Sequence, residues 1–291
     1  MRHEAVRVMR FKSGKQVKEL AITFVKILVA VIMFFPIIWI IASSFKSLVE
    51  VSQFPPTIIP RDFQLSNYTR VLSDSAFYLY LRNTLILILG TTTGTLISSS
   101  LVAYPLARMS FPGKKVFFAL IIGTMMVPGI ALIIPQHIMF GKLGWLDKLL
   151  PMIVPAFFAF PYNVFLFRQF FRTIPLELDE AAEIDGCSNV GIFFRVLLPL
   201  SKPIFATIAI LSSVFWWNEL TQPLIYLNRE TWRPLTVALL SRYSFFGDNF
   251  FTITWHTLMT VSSLMILPPM LLYLFGSKYL VDGIKTTGLK G

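Results

Sequence analysis

Residues 173–203 read TIPLELDEAAEIDGCSNVGIFFRVLLPLSKP, a stretch of soluble character set between long apolar runs. Thr173 suits an N-cap, Pro175 suits a first turn, and Leu176 to Asp185 are good helix formers ahead of Gly186, a residue suited to the C′ position. A short helix is therefore predicted here. Glu177, Asp179, Glu180, Glu183 and Asp185 crowd its length, and the acids nearest its start are favoured by the helix dipole. Ala181 and Ala182 leave room for another surface to approach the backbone. A second helix is predicted from Ser188 or Asn189, interrupted at Pro199 and Pro203 before the next apolar run. An amphipathic hairpin that binds nothing would account for the composition. It would not account for the spacing of Glu180-Ala181-Ala182, Gly186, Val196 and Leu198-Pro199, which is long and specific.

The rest of the chain sets this stretch in a membrane. Of 291 residues, 55% are hydrophobic and only 14% charged, with a mean hydropathy of +0.68. That is too apolar for a soluble domain of this length. The net charge of +11 is not gathered into a basic patch interleaved with aromatics, so it does not point to nucleic acid. The single cysteine, Cys187, excludes an intrachain disulfide and reads as a small filler.

At about 20 apolar residues per crossing, six helices fit, near 22–44, 83–106, 116–138, 149–169, 204–224 and 253–275. The expected fold class is an all-α polytopic membrane protein. Residues 1–20 form a basic N-terminal arm, 21–275 the six-helix domain containing the 173–203 loop, and 276–291 a C-terminal tail. The first apolar run is read as an uncleaved span, kinked at Pro36, because no cleavage site is followed by soluble sequence. With six crossings, most of the Lys and Arg residues fall on one side: Arg2, Arg7, Arg10, Lys12, Lys15, Lys18 and Lys26, then Arg108, Lys114 and Lys115, then Arg168, Arg172, Arg195 and Lys202, then Lys278, Lys285 and Lys290. The positive-inside rule places both termini and the 173–203 loop in the cytoplasm.

Several spans carry breaks. Pro128-Gly129 and Pro135 are expected to interrupt the third, Pro151, Pro155 and Pro161 the fourth, and Pro268-Pro269 the sixth. Freed backbone groups in lipid need protein or water, so such breaks suit a partner or a cavity. The second span carries Thr91, Thr92, Thr93, Gly94, Ser98, Ser99 and Ser100, a face suited to close packing or to ligand contact. Outside, residues 46–82 are expected to be an irregular connection. The segment 221–251 mixes polar residues with aromatics, as interfacial anchors or as a docking surface for an external partner.

No nucleotide-binding loop is present: Ser13-Gly14-Lys15 runs into Gln16, and Gly90 to Gly94 has no lysine after it. His3, His137 and His256 are scattered, giving no metal motif. The acid nearest a span interior is Glu219, so neither an intramembrane enzyme nor a proton-driven carrier finds its carboxylates. The carrier remains the alternative to transport powered from outside the chain. Trp216, Trp217, Asn218 and Glu219 set two indoles beside an amide and a carboxylate, fit either to stack on a sugar or to anchor the helix at the interface.

The Glu180-Ala181-Ala182, Gly186, Leu198-Pro199 pattern resembles the EAA loop of binding-protein-dependent ABC importer permeases. Further segments are similar to the carbohydrate, maltose-transporter-like type: Leu65-Ser66-Asn67-Tyr68, Arg82-Asn83-Thr84, Ala103-Tyr104-Pro105-Leu106-Ala107-Arg108, Ile174-Pro175, Trp217-Asn218-Glu219, Tyr279-Leu280-Val281-Asp282-Gly283 and Gly288-Leu289-Lys290-Gly291. The last resembles the tail of the second permease of a pair. The resemblance covers nearly the whole chain and implies the type I importer permease fold with a cytoplasmic coupling helix, in a multi-pass protein of the bacterial inner membrane. It also implies partners: a second homologous permease, two cytoplasmic ATPase subunits that use ATP and Mg, an extracytoplasmic solute-binding protein, and a carbohydrate substrate, with lipid around the bundle. Asp179, Glu180, Ala181, Ala182, Glu183, Gly186, Leu198 and Pro199 would then couple to the ATPase. No residue is expected to be catalytic, and no cofactor or metal to be bound by this chain.

Overall fold

A computed structural model describes the backbone of residues 2–246 and 249–288 and the side chains of residues 18–244 and 254–279. Among the described residues, four helical segments are long and apolar enough to cross a membrane, and two bent pairs bring the crossings to six with each pair counted as one. Helix α1 (Arg2–Ser44) runs through Pro36 without interruption. Its apolar part stands outside the bundle, exposing Phe24, Ile32 and Met33. At its end, the Ser44 carbonyl accepts from Asn67 Nδ2 at 2.9 Å and from the Thr260 hydroxyl at 3.2 Å.

Helix α2 (Ser75–Arg108) is the central element. Asp74 caps its start by accepting the Ala76 N–H at 3.0 Å. Its small, hydroxylated face packs, one of the two roles open to it, because Thr91, Gly94, Ser99 and Ser100 are buried against the other crossings. A Cβ on Gly94 would lie 2.7 Å from the Phe157 ring, so that approach requires glycine.

The third crossing is the pair α3 (Lys114–Thr124) and α4 (Gly129–Lys142), which meet at 92° across Pro128. Pro135 lies within α4 and does not interrupt it. The fourth starts at Leu150, tightens into a 3₁₀ turn at Val154–Phe158, breaks, and resumes as α5 (Pro161–Phe171). Ala159 takes φ 65° at the break, a left-handed value unusual for alanine.

After the 173–203 loop, α7 (Lys202–Asn218) carries the fifth crossing, bent 75° from the helical segment Asn189–Leu200. It ends at Asn218, earlier than the expected 224, and a separate short helix covers Thr221–Tyr226. A two-stranded ribbon, Phe245–Phe246 with Asn249–Ile253, precedes the sixth crossing. That crossing, α8 (Trp255–Gly288), therefore begins at Trp255 rather than 253.

Pro268 and Pro269 lie inside α8, which continues past them, against the expected interruption. The physical reason lies on the neighbouring helix. Proline at 269 removes the N–H that would reach the carbonyl four residues back, and that carbonyl, on Met265, accepts instead from the Trp217 indole N–H at 3.1 Å. No break falls at the expected domain edges, since α1 runs across residues 20 and 21 and α8 across 275 and 276. The terminal Leu289, Lys290 and Gly291 of the expected tail motif lie outside the described residues.

Candidate functional site

The loop at 173–203 folds as a tight knuckle on the end of the bundle. Helix α6 (Glu177–Ile184) is one short helix of eight residues, as the propensities predict. Its N-cap is Leu176 and not Thr173. Thr173 instead turns its hydroxyl back to the Phe170 carbonyl at 2.7 Å, closing the end of α5. At the other end, Gly186 has φ 79°. Its N–H donates to the Glu183 carbonyl at 3.0 Å, and the Cys187 N–H donates to Ala182 at 2.9 Å, the paired bonds of a Schellman closure. Ser188 then caps the next helical turn by accepting the Gly191 N–H at 3.2 Å.

One side of α6 is held by the chain itself. Ala182 is buried in a cluster with Ala103, Tyr104, Phe171, Ile192 and Phe193. Asp179 lies 3.3 Å from Arg108 at the end of α2, their side chains only 12% and 3% exposed. The angle of approach leaves Arg108 Nη2 and Asp179 Oδ1 buried without a hydrogen-bond partner. Burial pushes the Asp179 carboxyl above the usual carboxylate range, Arg108 pulls it down, and Glu183 adds to the rise. The Tyr104 hydroxyl, also from α2, donates to the Asn189 carbonyl at 2.9 Å and ties down the turn after α6.

The other side is free. Glu180, Ala181 and Glu183 are exposed, and Ile184 is 87% exposed. Of the residues expected to meet a partner, Asp179 and Ala182 thus face inward and are not available. Glu180, Ala181, Glu183 and Gly186 face outward, and Leu198 and Pro199 sit at the far end of the loop, half-buried and exposed respectively.

These features match a known family. The family described as binding-protein-dependent transport system inner membrane component covers residues 94–285, a span that includes α6, its closure and both flanking crossings. The chain belongs to this family. Relatives of this permease are sugar permeases of ABC transporters. It is 32% identical to the arabinooligosaccharides transport system permease protein AraQ of Bacillus subtilis, over 98% of this chain and 100% of that one. It is 30% identical to the trehalose/maltose transport system permease protein MalG of Thermococcus litoralis, over 91% of this chain and 94% of that one. A chain of a bacterial ABC transporter involved in the import of the acidic polysaccharide alginate superposes with a TM-score of 0.82 at 26% identity, covering 91% of the permease and 97% of itself. The all-α, six-crossing importer permease fold expected of the sequence is the fold the permease has.

The four residues expected to meet the sugar stand together at the end of α7, each engaged within the chain. Trp217 is 4% exposed and occupied with Met265, so its face is closed to a ligand. Trp216 packs between two clusters of buried side chains. Asn218 returns its amide to the Val214 carbonyl at 2.8 Å, and Glu219 accepts the Gln222 N–H at 2.9 Å, starting the next short helix. The group terminates α7. Arg229, Arg233 and Arg242 also find partners within the chain. Arg242 meets Asp74 at 3.1 Å and Arg229 approaches Asp147 at 3.8 Å, while Arg233 donates to the Asn228 carbonyl at 2.6 Å. Asp147 accepts the backbone N–H groups of Arg229 and Asn228, which hold its carboxyl below the ordinary value.

Sequence reasoning missed three contacts that organise the permease: the Arg108–Asp179 pair, the Trp217–Met265 bond, and the hydroxyls of Ser98 and Ser99. Ser98 accepts the Ala159 N–H at 3.1 Å and Ser99 the Phe160 N–H at 3.0 Å. Each pairs a residue type noticed in the sequence with a partner tens of residues away, and no local pattern marks the pairing.

Proposed function

We propose that this permease is one subunit of an ATP-driven, binding-protein-dependent importer of an oligosaccharide, and that it supplies half of the translocation path. A second, homologous permease supplies the other half, two ATPase subunits hydrolyse ATP with Mg, and an extracytoplasmic solute-binding protein delivers the sugar. Both termini and α6 lie on the cytoplasmic side of a bacterial inner membrane. The oligosaccharide class is supported by the relatives, whose names include arabinooligosaccharides and, at 35% identity over 72% of this chain and 72% of its own, polygalacturonan/rhamnogalacturonan for a Bacillus subtilis permease.

The observation that carries the reading is the two-sided character of α6. Its inner side is clamped by Asp179 and Ala182, while Glu180, Ala181 and Ile184 project from the bundle with no partner of their own. A helix fixed in this way transmits force. When the ATPase pair closes on ATP, it moves α6 as a rigid handle, and the crossings attached to it rock between inward and outward openings.

The test uses the complete complex in proteoliposomes. Glu180→Lys reverses the charge on the free side, and Gly186→Pro forbids the φ of 79° that closes the helix. Both variants are expected to insert into the membrane and to lose sugar-stimulated ATPase activity. Full activity in both would remove the coupling role from α6.

A further inference from the structure

At the end of the bundle that carries α6, one group of cations has no acid to answer it. The turn from α2 into α3 walls an open-sided cavity of about 660 Å³, with Arg108, Phe111, Lys114, Lys115 and Val116 among its residues. Arg108 is occupied with Asp179. Lys114 donates its ammonium to the Met109 carbonyl at 2.7 Å, just past the end of α2, and Arg168 of α5 donates Nε to the Leu106 carbonyl at 3.1 Å. Those bonds fill acceptors but neutralise no charge. Among the described residues, no carboxylate comes within ion-pair distance of Lys114, Lys115, Arg168 or Arg172. The charges that act on Lys114 are Arg168 and Arg172, both of its own sign. No side chain caps the start of α3, so its free N–H groups add to the positive potential. Like charges held this close repel one another, and an anion set among them offsets that repulsion.

The surroundings say which anion. Directly after the two lysines, α3 turns Val116, Phe117 and Leu120 outward, 63%, 58% and 63% exposed. An apolar face that begins at a cluster of cations matches a molecule of the same two characters, a phospholipid with its phosphate at the cavity and its acyl chains along the helix. A free phosphate or a nucleotide would use the cations and leave the apolar face bare. We propose that the cavity at the α2–α3 turn binds the headgroup of an anionic phospholipid, with Lys114 and Lys115 as its cations and the outer face of α3 as the bed for its chains. On the orientation proposed above, the lipid belongs to the cytoplasmic leaflet. It sits beside the clamp on α6, because Arg108 is both part of the cavity wall and the residue that meets Asp179.

The experiment uses the complete complex in phosphatidylcholine nanodiscs doped with a phosphatidylglycerol that carries a photoactivatable diazirine on one acyl chain. After illumination, the adduct is expected among residues 111–120, and unlabelled phosphatidylglycerol is expected to displace it about tenfold better than phosphatidylcholine does. Lys114→Gln combined with Lys115→Gln is expected to lower the adduct yield about tenfold, through the loss of two headgroup charges. Lys115→Glu is the second variant. That side chain is exposed, with no hydrogen bond among the described residues, so a folding defect does not account for its loss of labelling. Lys18→Gln removes one charge from the N-terminal arm and is expected to label as wild type. An adduct displaced equally well by phosphatidylcholine would make the site ordinary lipid contact and overturn the proposal. So would displacement by inorganic phosphate or glycerol 3-phosphate, which would mark a free-anion site, and so would unchanged labelling in both lysine variants. Labelling needs neither sugar nor ATP, so a complex that labels as expected but shows no sugar-stimulated ATPase activity loses the importer reading and keeps the lipid site.

Discussion

The smallest unit that holds α6 in place is a pair of residues. Arg108 and Asp179 are both buried, and removing one member strands the other charge in a poorly solvated place. Arg108→Met or Asp179→Leu alone is expected to destabilise the permease by about 3–5 kcal/mol, while the double substitution recovers most of the loss. Thermal unfolding of the purified complex measures both; equal losses in single and double variants would mean that the pair does not act as a unit. Asp179 also shows the limit of local reading. Its acidic neighbours Glu177, Glu180 and Glu183 are chemically alike and are all exposed. The burial of Asp179 follows from where α2 ends, which nothing within 173–203 encodes. Gly186 is the opposite case, because the left-handed turn after a short helix demands glycine locally, and the sequence says so.

At the scale of elements, prolines separate what could be read from what could not. Pro128 marks a true bend of 92° and Pro155 and Pro161 flank a true break. Pro268 and Pro269 leave α8 whole because Trp217, on α7, supplies the missing donor to Met265. Both situations look the same along the chain, since only the neighbour's hydrogen bond tells them apart. Trp217→Phe keeps the ring and deletes the donor, so it is expected to cost about 1–3 kcal/mol through an unsatisfied buried carbonyl. A lowered melting temperature with unchanged KM for the sugar is the expected result; a raised KM with unchanged stability would return the indole to the sugar path. The lengths of the apolar runs located all six crossings, with ends misplaced where a short outer helix, Thr221–Tyr226, was taken as part of α7.

The whole molecule holds few acids within its crossings, and its polar capacity there consists of hydroxyls, amides and backbone. That scarcity supports the proposal that energy enters from beyond the chain. With ATP inside proteoliposomes, uptake by the complete complex is expected to persist when a protonophore collapses the proton gradient, and to stop when ATP is withheld. The reverse pattern, measured as radiolabelled sugar retained, would make the permease a secondary carrier. Membrane class and crossing number were legible because composition and run length speak for the entire bundle. The role of Trp217 was not, because aromatic residues near a helix end look alike whether they cap a carbonyl or face a passage.

The two faces of α6 also separate two histories. Substitutions at Asp179 or Ala182 would unsettle the bundle, whereas Glu180, Ala181 and Ile184 can vary with no penalty to the permease's own architecture. On the proposed coupling role, grafting a handful of outward side chains from a sibling transporter should suffice to re-wire which engine drives which cargo, with every membrane helix left as it is.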